Sequence, residues 1–234
     1  MISIFQTYWQ ALLYSDGYRV TGLAMTLWLL VISCGIGFCL AVPLAVLRNA
    51  RNPLLWFPVW LYTFLFRGTP LYVQLLLIYT GIYGLDFIHN TVPFNEFFRQ
   101  GINCTILSFA LNTGAYTTEI FAGSIKETSH GEVDAGLAMG MSRFTLYRRI
   151  IIPSALRRAL PVYSNEVILM LHATTLAFTA TVPDILKVTK DAYSATYDPF
   201  DCFGLAALIY LCVSFGLIFL FRRAERHFLA YLRP

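Results

Sequence analysis

Charge is what this sequence has least of. Asp, Glu, Lys and Arg make up 13% of its 234 residues, against roughly a quarter in ordinary soluble domains. Hydrophobic residues make up 57%, and mean hydropathy is +0.62. That scarcity excludes an ordinary soluble domain and points to an integral membrane protein. Metal-ligand spacing is also missing. The five cysteines (34, 39, 104, 202 and 212) lie in or beside apolar runs and read as small packing residues. The histidines are scattered and suggest no metal site. No nucleophile–base pair argues for an enzyme. Gly131 and Gly136 have phosphate-loop spacing, but Leu137 and Ala138 follow instead of Lys and Ser/Thr. The chain is therefore expected to bind no nucleotide and no cofactor. Residues 1–18 have no basic start, so no cleaved leader is expected. The net charge of +4 reads as membrane topology and not as nucleic-acid binding.

What is present is a series of apolar runs. Residues 1–19 place Ile4, Phe5, Tyr8, Trp9, Leu12 and Leu13 at helical spacing, as in an interfacial helix. Spans are predicted over 20–47, 54–83, 101–122, 159–186 and 202–221. The second run would be about 45 Å long as one helix, more than the roughly 30 Å hydrocarbon core. It carries Arg67-Gly68-Thr69-Pro70, so it reads as a tilted or broken span. Segments 84–100 and 187–201 read as loops. Twelve Lys and Arg fall on one side: Arg48, Arg51, Lys126, Arg143, Arg148, Arg149, Arg157, Arg158, Arg222, Arg223, Arg226 and Arg233. Four fall on the other: Arg19, Arg99, Lys187 and Lys190. The positive-inside rule then puts the N-terminus outside and the C-terminus inside, with five transmembrane helices. The fold class is all-α, one membrane domain over 1–234 with a cytosolic loop at 123–158 and a cytosolic tail at 222–234.

Polar groups at membrane depth need a cavity or a partner. Arg67 beside the break is open to a carboxylate ligand or to structural pairing. Glu166 is open to a cationic ligand or to Arg157 or Arg158. Asn165 and His172 are two turns apart and share a face that Glu166 borders. Asn112, Thr113 and Tyr116 suit either interhelical hydrogen bonds or substrate contact. Gln74 joins Arg67, Asn112, Tyr116, Asn165, Glu166 and His172 as a candidate pathway residue. Glu119 suits a gate or a loop anchor.

The longest polar interruption is 132–153, EVDAGLAMGMSRFTLYRRIIIP. Residues 135–141 read as a short helix with small and soft faces, Asp134 near its start and a break at Gly140. A second helix is expected to run from 141 and stop at Pro153. A short helix displayed on a loop suits entry into a partner's groove; the bland alternative is a basic loop lying on lipid.

The order Asp134-Ala135-Gly136, then Gly140, nine further residues and Ile150-Ile-Ile-Pro153 resembles the EAA loop of ABC importer permeases. Asp replaces Glu, Gly replaces the second Ala and Ile replaces Leu, at unchanged spacing. RGTPLYVQLL (67–76), LNTGAYTTEIFAG (111–123) and LPVYSNEVILMLHATTLAFTATVPDIL (160–186) are similar to the polar amino-acid branch of that family, in particular to M-type membrane subunits of histidine/lysine/arginine/ornithine importers. The resemblance implies a type I importer in a bacterial inner membrane. It implies two cytosolic ATPase subunits that bind ATP, a second, Q-type permease subunit and a periplasmic amino-acid-binding protein. Asp134, Ala135, Gly136, Ala138, Met139, Gly140 and Pro153 would then couple to an ATPase. The competing expectation, an ion-coupled secondary transporter, is weakened by the absence of a visible internal repeat.

Overall fold

A computed structural model describes residues 1–229; the last residues of the tail, 230–234 with Arg233, lie outside the described part. Helix α1 (Ile2–Leu13) is followed by α2 (Gly22–Arg48), α3 (Pro53–Gly68) and α4 (Leu71–Leu76). A π-helical stretch (Leu77–Ile82) and two short helices, α5 (Asp86–Asn90) and α6 (Val92–Arg99), lead to α7 (Gly101–Lys126). Beyond them come α8 (His130–Ala138), α9 (Arg143–Leu146), a π turn (Tyr147–Ile151) and α10 (Ile152–Ala173). A 3₁₀ helix (Thr174–Ala180), α11 (Ile185–Thr196) and α12 (Pro199–Phe228) complete the described chain. Among the described residues the secondary structure is helical apart from two isolated bridges.

Helix α7 is the axis. It packs along α2 and also against α3, α4 and α10. The α2–α7 contact is close because Gly37 has no side chain. A Cβ there would lie 2.6 Å from Thr113 Cγ2 and 3.1 Å from the Gly114 nitrogen. Small residues at a helix crossing let backbones approach in just this way. Leu29, Leu30 and Cys34 of α2, Leu75 of α4, Phe109 of α7 and Met170 and Leu171 of α10 form the main apolar core. A second core joins Ala41 and Ala45 to Phe121, Ala122 and Ala159.

Two described helices are long and apolar enough to cross a membrane, α2 and α12. The pair α3 and Leu71–Ile82 gives a third if it is one broken span; it bends by 104°. Helices α7 and α10 have 26 and 22 residues, long enough to span. They fall short of that apolarity because much of what they carry is polar and turned inward. Thr105, Ser108, Asn112, Thr113, Thr117 and Thr118 of α7 are all buried. Thr105 and Thr118 donate to the carbonyls of Gly101 and Gly114, one turn back in their own helix.

The break expected at RGTP is there. Thr69 is extended, as a residue before proline prefers, and Pro70 caps α4. Three expectations need correction. Segment 84–100 is not an irregular loop: it forms α5 and α6, with Pro93 in the first turn of α6. Segment 187–201 is mostly helix α11, whose first N–H groups are taken by the Asp184 carboxylate (2.9 and 3.2 Å). The run 159–186 is not one span. Its α-helix starts earlier, at Ile152, and ends at Ala173, where the chain tightens to 3₁₀ and then turns at Thr181 (φ 61°).

Because Gly37 sits where α2 meets α7, Gly37→Val is expected to lower the thermal unfolding temperature in detergent markedly, while Gly35→Val, at open surface, leaves it nearly unchanged. Equal unfolding temperatures for the two variants would show that this crossing is not close-packed.

Candidate functional site

The polar residues inside the bundle fall into three groups. The first closes the broken helix. Where α3 gives way to α4, the carbonyls of Phe66 and Thr69 lose their helical donors. Gln74 Nε2 donates to both (2.8 and 3.0 Å) and also lies 2.8 Å from Thr69 Oγ1. Asn112 Nδ2 donates to Phe66 O (3.2 Å) and to Gln74 Oε1 (3.0 Å). One turn along α7, the Tyr116 hydroxyl donates to Arg67 O (3.4 Å). Gln74 and Asn112 are buried, so in this structure their polar atoms are spent on the joint.

The second group flanks a cavity of about 260 Å³ beside that joint, lined by Arg48, Trp60, Thr63, Phe64, Arg67, Gly68 and Glu119. Glu119 of α7 accepts from Arg48 Nε of α2 (2.8 Å) and from Thr63 Oγ1 of α3 (2.7 Å). Three helices are thus tied at one carboxylate. The Arg67 side chain is exposed, its guanidinium carbon 5.4 Å from the Tyr116 ring centroid. That is within cation–π reach and leaves its N–H donors facing the cavity.

The third group is on α10. Asn165 and His172 share an exposed face, and His172 Nε2 lies 3.2 Å from Ser214 Oγ of α12. Glu166 points the other way. It is 7% exposed and accepts from Thr113 Oγ1 of α7 (3.1 Å). Neither Arg157 nor Arg158 pairs with it. Arg158 instead donates to Ser154 Oγ (2.7 Å), Ser124 O (3.1 Å) and Thr128 Oγ1 (2.8 Å), which fastens α10 to the end of α7.

Below that fastening stands the loop knob. Helix α8 starts at His130, earlier than its small residues suggest. Glu132 therefore occupies the first turn, and the role at the positive helix end passes to it from Asp134. The helix ends in a Schellman motif: Met141 N donates to Gly136 O (3.1 Å) and Gly140 N to Leu137 O (2.9 Å). Gly140 takes the left-handed conformation this requires (φ 77°). Gly136 is buried, and a Cβ there would lie 2.5 Å from Leu146 Cδ1 and 3.2 Å from Ile150 Cδ1. The glycine that stands for the second alanine of the motif thus faces the Leu146 and Ile150 side chains. The opposite face is free: Asp134, Ala135 and Ala138 are exposed, with Leu137 at 48% and Met139 at 68%.

Pro153 does not stop the helix. The preceding π turn lets Ile152 N bond Tyr147 O, five residues back. That widened turn removes the clash between a proline ring and the carbonyl four residues earlier, and the chain stays helical into α10.

Sequence reasoning did not join Arg48, Thr63 and Glu119, or Thr113 with Glu166. Each pair is 50 residues or more apart along the chain except Arg48 and Thr63, and only a lone polar residue in an apolar run, such as Thr63, signalled it.

Residues 35–230 match the family model described as "Binding-protein-dependent transport system inner membrane component". The chain is 60% identical over 232 residues to the histidine/lysine/arginine/ornithine transport system permease protein HisM of Salmonella typhimurium, covering 99% of both chains. It is 42% identical over 200 residues to the nopaline transport system permease protein NocM of Agrobacterium fabrum, covering 86% of this chain and 83% of that one. Among solved structures, an amino acid ABC transporter crystallised with histidines superposes with a TM-score of 0.78 at 25% identity, covering 97% of this chain and 96% of that chain.

Gln74→Leu and Asn112→Leu are each expected to lower stability by about 1–3 kcal/mol, the usual loss when a buried polar partner is removed. The double variant should lose less than the sum, because both serve the same carbonyl. Denaturant unfolding in detergent measures this, and strictly additive losses would show that the two amides act independently.

Proposed function

The chain belongs to the family of binding-protein-dependent transport system inner membrane components, and from that premise we propose that it carries cationic amino acids through a type I importer. It is the non-catalytic permease subunit of an amino-acid ABC transporter and works with ATPase and binding-protein partners. The finer assembly is our reading: a heterodimer with a Q-type permease, two cytosolic ATPase subunits and a periplasmic protein that delivers the amino acid. Histidine, lysine, arginine and ornithine are the substrates named for the relative at 60% identity, and they are the class proposed here.

The observation that carries this reading is the knob. Helix α8 is packed on one side, where Gly136 lies against Leu146 and Ile150, and bare on the other, at Ala135, Ala138 and Met139. A rigid, small-faced helix of this kind can seat in a groove of an ATPase and pass its motion to α10 through the unbroken helix across Pro153. We read five crossings in the same arrangement: α2, the broken α3–α4 unit, α7, α10 and α12. The basic residues of 48–51, 126–158 and 222–226 then face the cytosol.

For substrate, Glu166 is proposed to attract the cationic side chain and Arg67 the carboxylate, with Tyr116 shaping the space between. Asn165 and His172, on the outer face of α10, are proposed to meet the pathway where the second permease closes it. Gln74 and Asn112 hold the backbone bordering it. Opening would require Glu166 to leave Thr113, a single hydrogen bond worth about 1 kcal/mol.

Two outcomes test this. Gly140→Val forces a β-branched residue into a left-handed conformation, and is expected to abolish ATP-driven uptake with membrane insertion intact. Gly140→Asn, which tolerates that conformation, should keep most of it. Uptake by the Val variant equal to wild type, or uptake lost on collapse of the proton gradient with ATP present, contradicts the coupling role. Glu166→Gln is expected to reduce arginine and lysine uptake by about tenfold or more. Normal uptake of both would remove Glu166 from the pathway.

A further inference from the structure

Residues of α2, α7, α10 and the last turn of α12 line an open cavity of about 240 Å³. Its wall is aromatic. Phe38, Phe121 and Tyr163 form a triangle with centroids 5.3, 5.7 and 5.7 Å apart, and Leu160 and Phe228 extend it. One charged side chain, Arg157, stands in the lining. It is exposed, and no hydrogen bond or ion pair occupies it among the described residues. The end of α12 is held over the cavity by the Ser164 hydroxyl, which donates to Glu225 (3.3 Å). The same two turns of α12 carry Arg222, Arg223 and Arg226, all exposed.

We propose that this cavity holds the headgroup-proximal part of one acyl chain of an anionic phospholipid, with its phosphate at Arg157. The choice of occupant follows from the lining. An amino acid would need an acidic partner for its ammonium group; the residues lining the wall include no carboxylate, and Glu225 above it accepts from Ser164. Water would need several polar partners, and the wall is apolar. A lipid needs an apolar slot with a cation at its mouth, at the level of the headgroups. Arginine clusters at the cytosolic ends of membrane helices attract anionic lipid in this way. Placing the site at the cytosolic leaflet rests on the topology proposed above. Because the aromatic triangle joins α2, α7 and α10, a bound chain would brace the three helices next to the Arg158 fastening.

The test uses the assembled transporter, purified with its ATPase in mild detergent and exposed to a mixture of phosphatidylglycerol and phosphatidylcholine. Retained lipid is counted by mass spectrometry. Wild type is expected to retain phosphatidylglycerol in preference. Arg157→Gln should bind it about fivefold more weakly, Arg157→Lys should recover much of that, and Leu160→Trp, which fills the slot, should lose both lipids. Equal retention by wild type and Arg157→Gln, retention by Leu160→Trp, or a crosslink from residue 157 into a second permease overturns the site. An ATPase that fails to co-purify while Arg157-dependent lipid binding persists overturns the importer reading and leaves the site standing.

Discussion

A helix broken inside a membrane must find donors for the carbonyls it frees, since lipid supplies none. That constraint organises this bundle. The 104° bend between α3 and α4 exposes Phe66 and Thr69, and Gln74 and Asn112 close them. Asn112 can do so because α7 runs through the centre, held close to α2 by Gly37. The same central helix presents Glu119 to Arg48 and Thr63, and Thr113 to Glu166. A break that would be ruinous in an isolated span becomes the border of a cavity.

The loop obeys a different constraint. On the coupling role proposed above, a part that transmits force must not yield before its partner does. Gly136 brings α8 into contact with Leu146 and Ile150, the Schellman turn at Gly140 fixes where it ends, and Arg158 ties the following helix to the end of α7. The π turn keeps the chain helical through Pro153, so the segment against which α8 packs at Gly136 continues into the helix that carries Glu166.

Much of this was legible in the sequence. The polar run 132–153 stood out by charge, Gly140 by its place after small residues, and the RGTP break by its proline. What the chain order hides is pairing. Nothing local says that Asn112 serves the carbonyl of Phe66, or that Arg158 turns from Glu166 to Ser124. Pro153 misled because proline ordinarily ends a helix, and the π turn that rescues it has no marker of its own. Helices α11, α5 and α6 read as loops in the sequence because their polar content is that of surface segments. Helices α7 and α10 are too polar to announce themselves by hydropathy alone, since residues such as Thr105, Asn112, Thr113, Thr118 and Glu166 are turned into the bundle.

The central claim is that an exposed face of α8 delivers the work of ATP hydrolysis to a motorless bundle. The most direct measurement places a cysteine at Ala138 and a short thiol crosslinker in membranes that contain the full transporter. The account predicts a crosslink to the ATPase subunit whose yield changes when ATP is trapped. A residue 138 that reacts only with lipid, with another permease or with reagent confined outside the cell would contradict it.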